Sequence, residues 1–492
     1  MPKLNIAFDG KTPDELKNFI HENKEIFAGG NIHIKLNDLI AETGIEGIKI
    51  LREEIQSEIG VDIIWMIDGK WNDIPNTVAN YVKRLKGLNV AYYTVHASGG
   101  PNMIQAAKVA VPDLKLLAIT VLTSLEENEV VRVFDAHRNE SVLRLAKVAL
   151  DAGADGLVCS PADAPMLRQV FGKDFLLVTP NIQREGIERK DDQNKALTNT
   201  PGGAIENGAS DIVVGRPILN ANEPSAVIKE MLDAMSVATP KNFENGDFGL
   251  EKALYRGSWD ELLKYIGAIY VRPEGGKYVR YTSGLIANAY TNNGVSERDY
   301  RVLHRAGMDL MSQMETSGIQ ADLVMGAQMG SVRLSLSLAD VMSITESIYT
   351  EKVGDEMLLK RHDLGEGNYT GRKVVLSEDV ITKGSTIAKM IEIVKAGGGE
   401  VVAITCIVNR SGKDNFQGIP LFHCYVPQAF DMWWDDETLV KTRANEMAAG
   451  KTPDEIERIL QDLQVKYPRL PEGAVISEKP KNEWNELVKS MR

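Results

Sequence analysis

The stretch Ile67-Asp68-Gly69-Lys70-Trp71-Asn72-Asp73-Ile74-Pro75-Asn76-Thr77 decides how the first half of this 492-residue chain is read. Before it, 61–66 is a mostly apolar run of strand length, rich in β-branched and aromatic residues. After it, 77–85 reads as a helix. Two carboxylates and an ammonium therefore sit where a strand gives way to a loop. Asp68 and Lys70 are two residues apart, so on extended chain they point to the same side. An arbitrary D-x-K-x-x-D can be no more than a solvated turn. Here Ile-Pro-Asn-Thr follows, adding a stiff turn and polar groups beside the charges.

On both sides of this stretch, from residue 4 to about 237, strand-like runs alternate with helical patterns. Eight runs stand out, at 4–8, 31–34, 61–67, 90–95, 116–122, 156–158, 175–178 and 211–214. Helix-length segments separate them, 139–152 the clearest. Eight βα units in about 240 residues predict a TIM (β/α)8 barrel. In such barrels the chemistry sits at the C-terminal ends of the strands. Here those ends carry Asp9, Lys35, Asp68 with Lys70, His96, Thr123 with Ser124, Ser160, Pro180, and Gly215 with Arg216.

The totals bound the rest. A chain this long exceeds one core, so two or three domains are expected. The formal charge of -13 argues against general nucleic-acid binding, while leaving room for a local basic phosphate pocket. Cys159, Cys406 and Cys424 are far apart, show no metal-ligand spacing and read as buried thiols in a reducing compartment. No apolar run approaches the roughly 18 residues of a membrane span, and the N-terminus lacks the apolar stretch of a signal peptide. A cytoplasmic enzyme is the expectation.

Lys11-Thr12-Pro13-Asp14-Glu15 recurs as Lys451-Thr452-Pro453-Asp454-Glu455. Thr as N-cap, Pro at N1 and Glu at N3 make a capping box, which two unrelated helices can share, so no internal repeat is inferred. Turn formers gather at 236–249, which divides the chain into a first domain 1–237, a linker 238–249, a second α/β domain 250–430 and a helical C-terminal extension 431–492. The centre of the second domain is 373–386. There a buried strand leads to Glu378 and Asp379, then to a small polar loop, Thr382-Lys383-Gly384-Ser385-Thr386, that opens a helix over 387–395. No chemistry is legible in the extension.

D-x-K-x-x-D-I-P-N-T resembles the signature of orotidine 5′-monophosphate decarboxylases. The resemblance covers the whole barrel: Ile-Ala-Phe-Asp9, Ile-Lys35-Leu, Val95-His96-Ala-Ser-Gly-Gly100, Val121-Leu-Thr123-Ser124, Val178-Thr-Pro-Asn-Ile182 and Val214-Gly215-Arg216-Pro217-Ile218 follow in family order. Asn181 departs from the glycine of many members, and Gln183 stands where some have arginine. The resemblance implies decarboxylation of orotidine 5′-phosphate to UMP and CO2 without any cofactor or metal. Loss of CO2 from C6 leaves a carbanion in the ring plane with no good electron sink. The reaction needs a fixed cation at C6 that also delivers a proton, and Lys70 is the candidate. Lys35, Asp68, Lys70 and Asp73 would form an alternating charge network in which each opposite neighbour keeps its partner ionised despite burial. Asp68 would lie near the substrate carboxylate. Asp9, Thr77, Thr123, Ser124, Gln183, Gly215 and Arg216 are the candidate substrate contacts. Thr123 would read the pyrimidine edge, with Ser124 the alternative, and Arg216 would pair with the phosphate. His96 is expected to pack or hydrogen-bond structurally. In the family the acid and threonine of D-I-P-N-T reach the neighbouring subunit's site. That casts Asp73 and Thr77 in this role and implies a homodimer or higher homo-oligomer.

Residues 374–386 resemble the diphosphoribosyl-binding motif of type I phosphoribosyltransferases, whose α/β domain has a mostly parallel sheet. That resemblance implies that Glu378 and Asp379 hold ribose hydroxyls and that Thr382, Lys383, Gly384, Ser385 and Thr386 cradle the 5′-phosphate of phosphoribosyl diphosphate at a helix N-terminus. Val279-Arg-Tyr-Thr282-Ser283-Gly284 looks like an orotate loop, with Thr282 where some members have lysine. Arg410 stands in the place of the arginine that meets the orotate carboxylate. Gly326-Ala-Gln-Met-Gly330 looks like the pyrophosphate loop. The polar segment 351–368 is expected to be a lid, with Lys352 closing over the partner's pyrophosphate and Arg361 and His362 weaker candidates. Mg²⁺ would arrive on the diphosphate. The two resemblances fit together, because the second domain's product is the first domain's substrate. The alternative weighed is a sugar-phosphate lyase barrel, which would use an acid in place of Lys35 and need Mg²⁺, fused to a regulatory domain that senses diphosphoribose. Such regulators usually carry a basic DNA-binding element, and none is legible here.

Overall fold

A computed structural model describes residues 1–492 except 28, 188–198, 244–247, 282–284, 328–329, 354–355, 359–367, 428–430, 479, 481 and 492. The chain divides into two compact units, Met1–Arg256 and Gly257–Arg492. In the first, eight parallel strands close into a barrel: β1 Leu4–Ala7, β2 Ile32–Leu36, β3 Trp65–Trp71, β4 Val90–His96, β5 Lys115–Ile119, β6 Gly156–Val158, β7 Leu176–Thr179 and β8 Asp211–Val214. Closure is made by β1 pairing with β8 in parallel. The eightfold βα reading of the sequence is therefore the observed fold.

Strand alternation sorts the side chains into two populations. Outward residues such as Ile6, Ile34, Trp65, Ile67 and Tyr93 are buried beneath the helices. Inward residues stack in layers. Ala7, Met66, Tyr92, Leu117, Val178 and Val213 pack together in the middle of the barrel. Below them Asn5, His33, Tyr92 and Asp211 form a buried polar floor. The Tyr92 hydroxyl donates to Asp211 Oδ2 at 2.7 Å, and His33 Nδ1 lies 3.2 Å from Asn5 Oδ1. Burial pulls the His33 imidazole down to about 4, with the Lys3 and Lys115 charges acting in the same direction. The layer above, at the C-terminal ends of the strands, is the charged one.

The strand at the diagnostic stretch differs from the sequence expectation. β3 begins at Trp65, not at 61, and runs past Asp68 and Lys70 to Trp71. Its register against β4 shifts, so that Ile67 pairs with Tyr93 but Trp71 with Val95. The extra residues bulge, and Lys70 takes φ +46, a left-handed conformation uncommon for a residue with a Cβ. The following helix is Pro75–Lys83, with proline in its first turn. The indole of Trp71 stacks on Tyr81 of that helix, ring centroids 6.0 Å apart, which ties the bulge to the helix.

The expected boundary at 249/250 lies one short helix before the division between the units. Helix Gly249–Tyr255 packs on helices Arg138–Asp151 and Ala164–Phe171 of the barrel, with Ala253 and Leu254 buried. The second unit is built on a six-stranded sheet in the order Ser347–Tyr349, Leu323–Gly326, Lys373–Ile381, Glu400–Asn409, Ile419–Tyr425, Asn415–Phe416. All pairings are parallel except the last. Its core joins Leu323, Val374 and Leu376 from the strands to Ile387, Met390 and Val394 from helix Ser385–Ala396.

The residues after 430 are not only helical. Besides helices Asp436–Ala448, Pro453–Lys466 and Trp484–Met491, they supply strands Met432–Trp433 and Ile476–Ser477. These are the two edges of a separate four-stranded sheet, flanking Tyr278–Arg280 and Ile286–Ala287. Both Thr-Pro-Asp-Glu segments form reciprocal capping boxes on unrelated helices, one in each unit. All three cysteines are free; Cys159 and Cys406 are buried and Cys424 is partly exposed. No described helix is long and apolar enough to cross a membrane.

Candidate active sites

At the C-terminal mouth of the barrel lies a cavity of about 460 Å³. That is within the usual range for a small-molecule site. Its walls carry Asp9, Lys35, Asp68, Lys70, Thr123, Ser124, Gly215 and Arg216, all singled out from the sequence. Four of these form a chain of alternating charge. Lys35 Nζ donates to both Asp9 oxygens at 2.9 Å and to Asp68 Oδ2 at 3.0 Å. Lys70 Nζ donates to the same Asp68 oxygen at 2.5 Å.

Burial differs along this chain of charges. The side chains of Lys35 and Asp68 are 7% and 9% exposed, whereas that of Lys70 is 36% exposed toward the cavity. Burial alone would push the Asp68 carboxyl up. The Lys35 and Lys70 charges outweigh it and hold Asp68 below the ordinary aspartate range. For Lys35 burial acts downward, and Asp68 and Asp9 outweigh it, so the ammonium is held above the ordinary lysine value. The pair is thus kept ionised by its neighbours rather than by water.

Two residues that the sequence reading did not select complete the cluster. Thr94 Oγ1 donates to Asp68 Oδ1 at 2.9 Å and accepts from the Lys70 backbone N–H at 2.9 Å. Asn37 Nδ2 donates to the Asp68 carbonyl at 2.7 Å. Thr94 holds both the bulged backbone and the carboxylate, which accounts for how Lys70 stays at its unusual φ. Its only signal in sequence was its place two residues before His96 at the end of β4. Half-buried His96 is pushed down by its burial, then by the Lys70 charge, with Asp68 opposing.

Other candidates fall elsewhere. Asp73 is exposed, and its carboxylate accepts from the Ile74 N–H at 2.7 Å, so within this chain it does not join the charge network. Thr77 lies in the first turn of the same helix, and neither residue lines the cavity. Gln183 is also outside the lining; Asn181 and Ile182 take that part of the wall. Asn181 has φ +67, the backbone conformation in which glycine is at ease and asparagine is the best-tolerated substitute. Arg216 opens a short helix after Gly215, where an added Cβ would stand 3.2 Å from the Ala7 carbonyl. Gly215 therefore lets β8 lie close against β1.

In the second unit Glu378 and Asp379 lie within strand Lys373–Ile381 rather than after it. Gly384 follows at φ +77 and leads into helix Ser385–Ala396. At Gly384 a Cβ would collide with the Phe416 ring. Burial raises the Glu378 carboxyl to about 7, the Asp379 charge adds to this, and a hydrogen bond from Thr386 opposes it. Gly330 passes so close to Asp379 that a Cβ there would stand 2.8 Å from Oδ2. Thr382, Lys383 and Ser385 are exposed at the helix start. Arg410, just after strand Glu400–Asn409, lies over the Tyr281 ring at 5.1 Å. Lys352 falls on strand Glu351–Val353, which pairs with Glu356–Leu358 in the expected lid. The side chain of Lys352, like Thr282, Arg361 and His362, lies outside the described residues. Among the described residues no group of three or more His, Cys, Asp or Glu is placed to hold a metal ion.

Residues 2–231 match the family described as orotidine 5′-phosphate decarboxylase / HUMPS family, and residues 300–420 match the phosphoribosyl transferase domain. The orotidine 5′-phosphate decarboxylase of Idiomarina loihiensis is 35% identical over 241 residues, 48% of this chain and 98% of that protein. That of Actinobacillus pleuropneumoniae is 44% identical over 236 residues, 46% of this chain and 96% of its own length. A crystal structure of the Lactobacillus acidophilus enzyme is 34% identical, with a TM-score of 0.39, and covers 48% of this chain and 99% of that one. The curated relatives are decarboxylases, and the reading of the barrel as a sugar-phosphate lyase finds no support among them. The C-terminal half carries a phosphoribosyltransferase domain, and through its N-terminal barrel the chain belongs to the orotidine 5′-phosphate decarboxylase family.

Proposed function

We propose that the chain performs the last two steps of UMP synthesis as a bifunctional UMP synthase. The C-terminal unit joins orotate to the ribosyl phosphate of phosphoribosyl diphosphate and releases diphosphate. The barrel then decarboxylates the orotidine 5′-phosphate to UMP and CO2. The observation that carries this reading is the Asp9–Lys35–Asp68–Lys70 chain of ion pairs on the wall of the barrel cavity.

In the barrel, Lys70 is the acid. Its ammonium meets the charge that develops at C6 as CO2 departs, and gives that carbon its proton. Asp68 and Lys35 position it, and Asp9 anchors Lys35. Because these charges are fixed before substrate arrives, little reorganisation is needed as the carbanion forms. Thr123 and Ser124 face the base, and Gly215 with Arg216 take the phosphate. Asp73 and Thr77 miss their own chain's cavity and stand beside exposed Ile74 and Tyr81, which supports the reading that they serve a second subunit.

In the transferase, Glu378 and Asp379 take the ribose hydroxyls, the 382–386 loop takes the 5′-phosphate, and Arg410 takes the orotate carboxylate. Phosphoribosyl diphosphate would itself carry Mg²⁺, which would supply an electrostatic clamp on the diphosphate. The site is a cytoplasmic one in this reading. A coupled assay supplying orotate, phosphoribosyl diphosphate and Mg²⁺ tests it. UMP and CO2 should form in equal amounts, and failure to consume orotate would exclude the transferase step.

A further inference from the structure

We propose that the C-terminal segment 431–492 sets the acceptor-base half of the transferase site, and that Arg280 is the positioning residue through which it acts. This rests on the reading above that the transferase acceptor is orotate, met by Arg410. Strands Tyr278–Arg280 and Ile286–Ala287 form a hairpin closed by the Tyr281 N–H donating to the Leu285 carbonyl at 2.8 Å. Two such short strands are marginal alone. The C-terminal segment adds a strand to each side: Ile476–Ser477 beside Tyr278–Arg280, and Met432–Trp433 beside Ile286–Ala287. It also fills the core beneath, where Leu487 packs with Tyr270, Val279 and Ala287.

The last residue of the strand and the one that follows it take opposite tasks. Arg280 turns to the C-terminal segment, its side chain 3% exposed. Its guanidinium forks onto both Asp435 oxygens at 2.9 and 2.7 Å, and its Nε donates to Glu478 at 2.8 Å. Tyr281 turns the other way. Its hydroxyl donates to the Ala289 carbonyl at 2.8 Å, and its ring carries the Arg410 guanidinium. A displacement of Arg280 is therefore a displacement of the platform under Arg410. Glu378 and Asp379 lie in the six-stranded sheet, which also anchors the Arg410 backbone through its N–H donating to the Ile381 carbonyl at 2.8 Å, so the brace reaches only the Tyr281 ring beneath the Arg410 guanidinium. A fault in the brace should reach orotate and spare phosphoribosyl diphosphate.

The test uses the full chain, with its own decarboxylase as internal control. Arg280→Met should raise the KM for orotate by roughly ten- to a hundredfold, the scale of a lost charge-assisted hydrogen bond between Arg410 and the orotate carboxylate. The KM for phosphoribosyl diphosphate should stay within about twofold, and orotidine 5′-phosphate decarboxylation should not change. The double variant Asp435→Asn with Glu478→Gln should shift the orotate KM in the same direction. Arg280→Lys, which keeps a cation but loses the fork, should fall between wild type and Arg280→Met. The two KM values rising in step, or an orotate KM unchanged in soluble variants, would overturn the proposal. If Arg280→Met is insoluble, the double variant decides by the same criteria. Wild-type chain that consumes no orotate would remove the acceptor reading and this proposal together, whereas wild-type turnover with unmoved variants removes the proposal alone.

Discussion

The two sites handle a partly or wholly desolvated carboxylate in opposite ways. At the barrel mouth Asp68 lies between two lysines and is held ionised. In the transferase Glu378 stands beside another acid, and burial raises it to about 7. An aspartate already clamped by ammonium groups needs no incoming ion, and the barrel can act on its substrate with side chains alone. A glutamate that neighbours a like charge suits a ligand that brings hydroxyl donors and a divalent cation with it. The difference follows from architecture. A closed barrel gathers residues from several strands round one mouth, so opposite charges from β1, β2 and β3 meet. The transferase acids are consecutive in one strand and so leave it on opposite faces; among the described residues no cation is supplied to Glu378 by a neighbouring strand, burial raises it, and the Asp379 charge adds to that.

The largest expected effect breaks the barrel side of this comparison. Lys70→Ala should abolish detectable decarboxylation, with the acid step alone contributing roughly 10²–10⁴-fold. Orotate consumption by the same protein should continue, and orotidine 5′-phosphate should accumulate. Near-normal CO2 release would remove Lys70 from its role.

Asp379→Asn should break the other side. Transferase turnover should fall by roughly a hundredfold or more, about 3 kcal/mol of lost charge-assisted hydrogen bonding. Added orotidine 5′-phosphate should still give UMP at the wild-type rate. Loss of both activities would point to misfolding instead.

A smaller effect is expected at Arg216, which is exposed and on the cavity wall. Arg216→Ala should raise the decarboxylase KM by roughly ten- to a hundredfold, from a charge-assisted hydrogen bond of about 1.5–3 kcal/mol. Steady-state kinetics with orotidine 5′-phosphate measure this, and an unchanged KM would place the phosphate elsewhere.

The smallest effect sharpens the comparison through pH. Glu378 titrates in the folded chain near 7, above its ordinary 4.5. Its contribution to stability is complete below 4.5 and is lost as pH rises through about 7. Asp68, held below its ordinary 3.8, contributes in the opposite sense: its stabilisation is present above 3.8 and fades as pH falls below it. Calorimetric melting should show the transferase transition declining between about pH 4.5 and 7 and levelling above that, at roughly 2–4 °C per kcal/mol. Glu378→Gln should flatten that decline and leave the barrel transition unmoved. A slope that survives the substitution would assign it to another group.

Much of this protein is legible in local sequence. Short apolar runs rich in β-branched and aromatic residues, set between helical segments, give the eight strands, because run length and residue preference are properties of each strand by itself. The two Thr-Pro-Asp-Glu segments announce their helix starts for the same reason: a capping box is closed within four residues. Lys35, Asp68, Lys70 and Arg216 could be selected because strand ends can be located from the pattern. What the sequence could not decide is which polar atoms lose water together. Thr94 grips Asp68 only because β3 bulges against β4. Asp9 reaches Lys35 only because β1 pairs with β2. Arg280 finds Asp435 and Glu478 at separations of 155 and 198 residues. Dihedral preferences and periodicity act between near neighbours. Desolvation and charge pairing act through space, and only the closed sheets determine who the neighbours are.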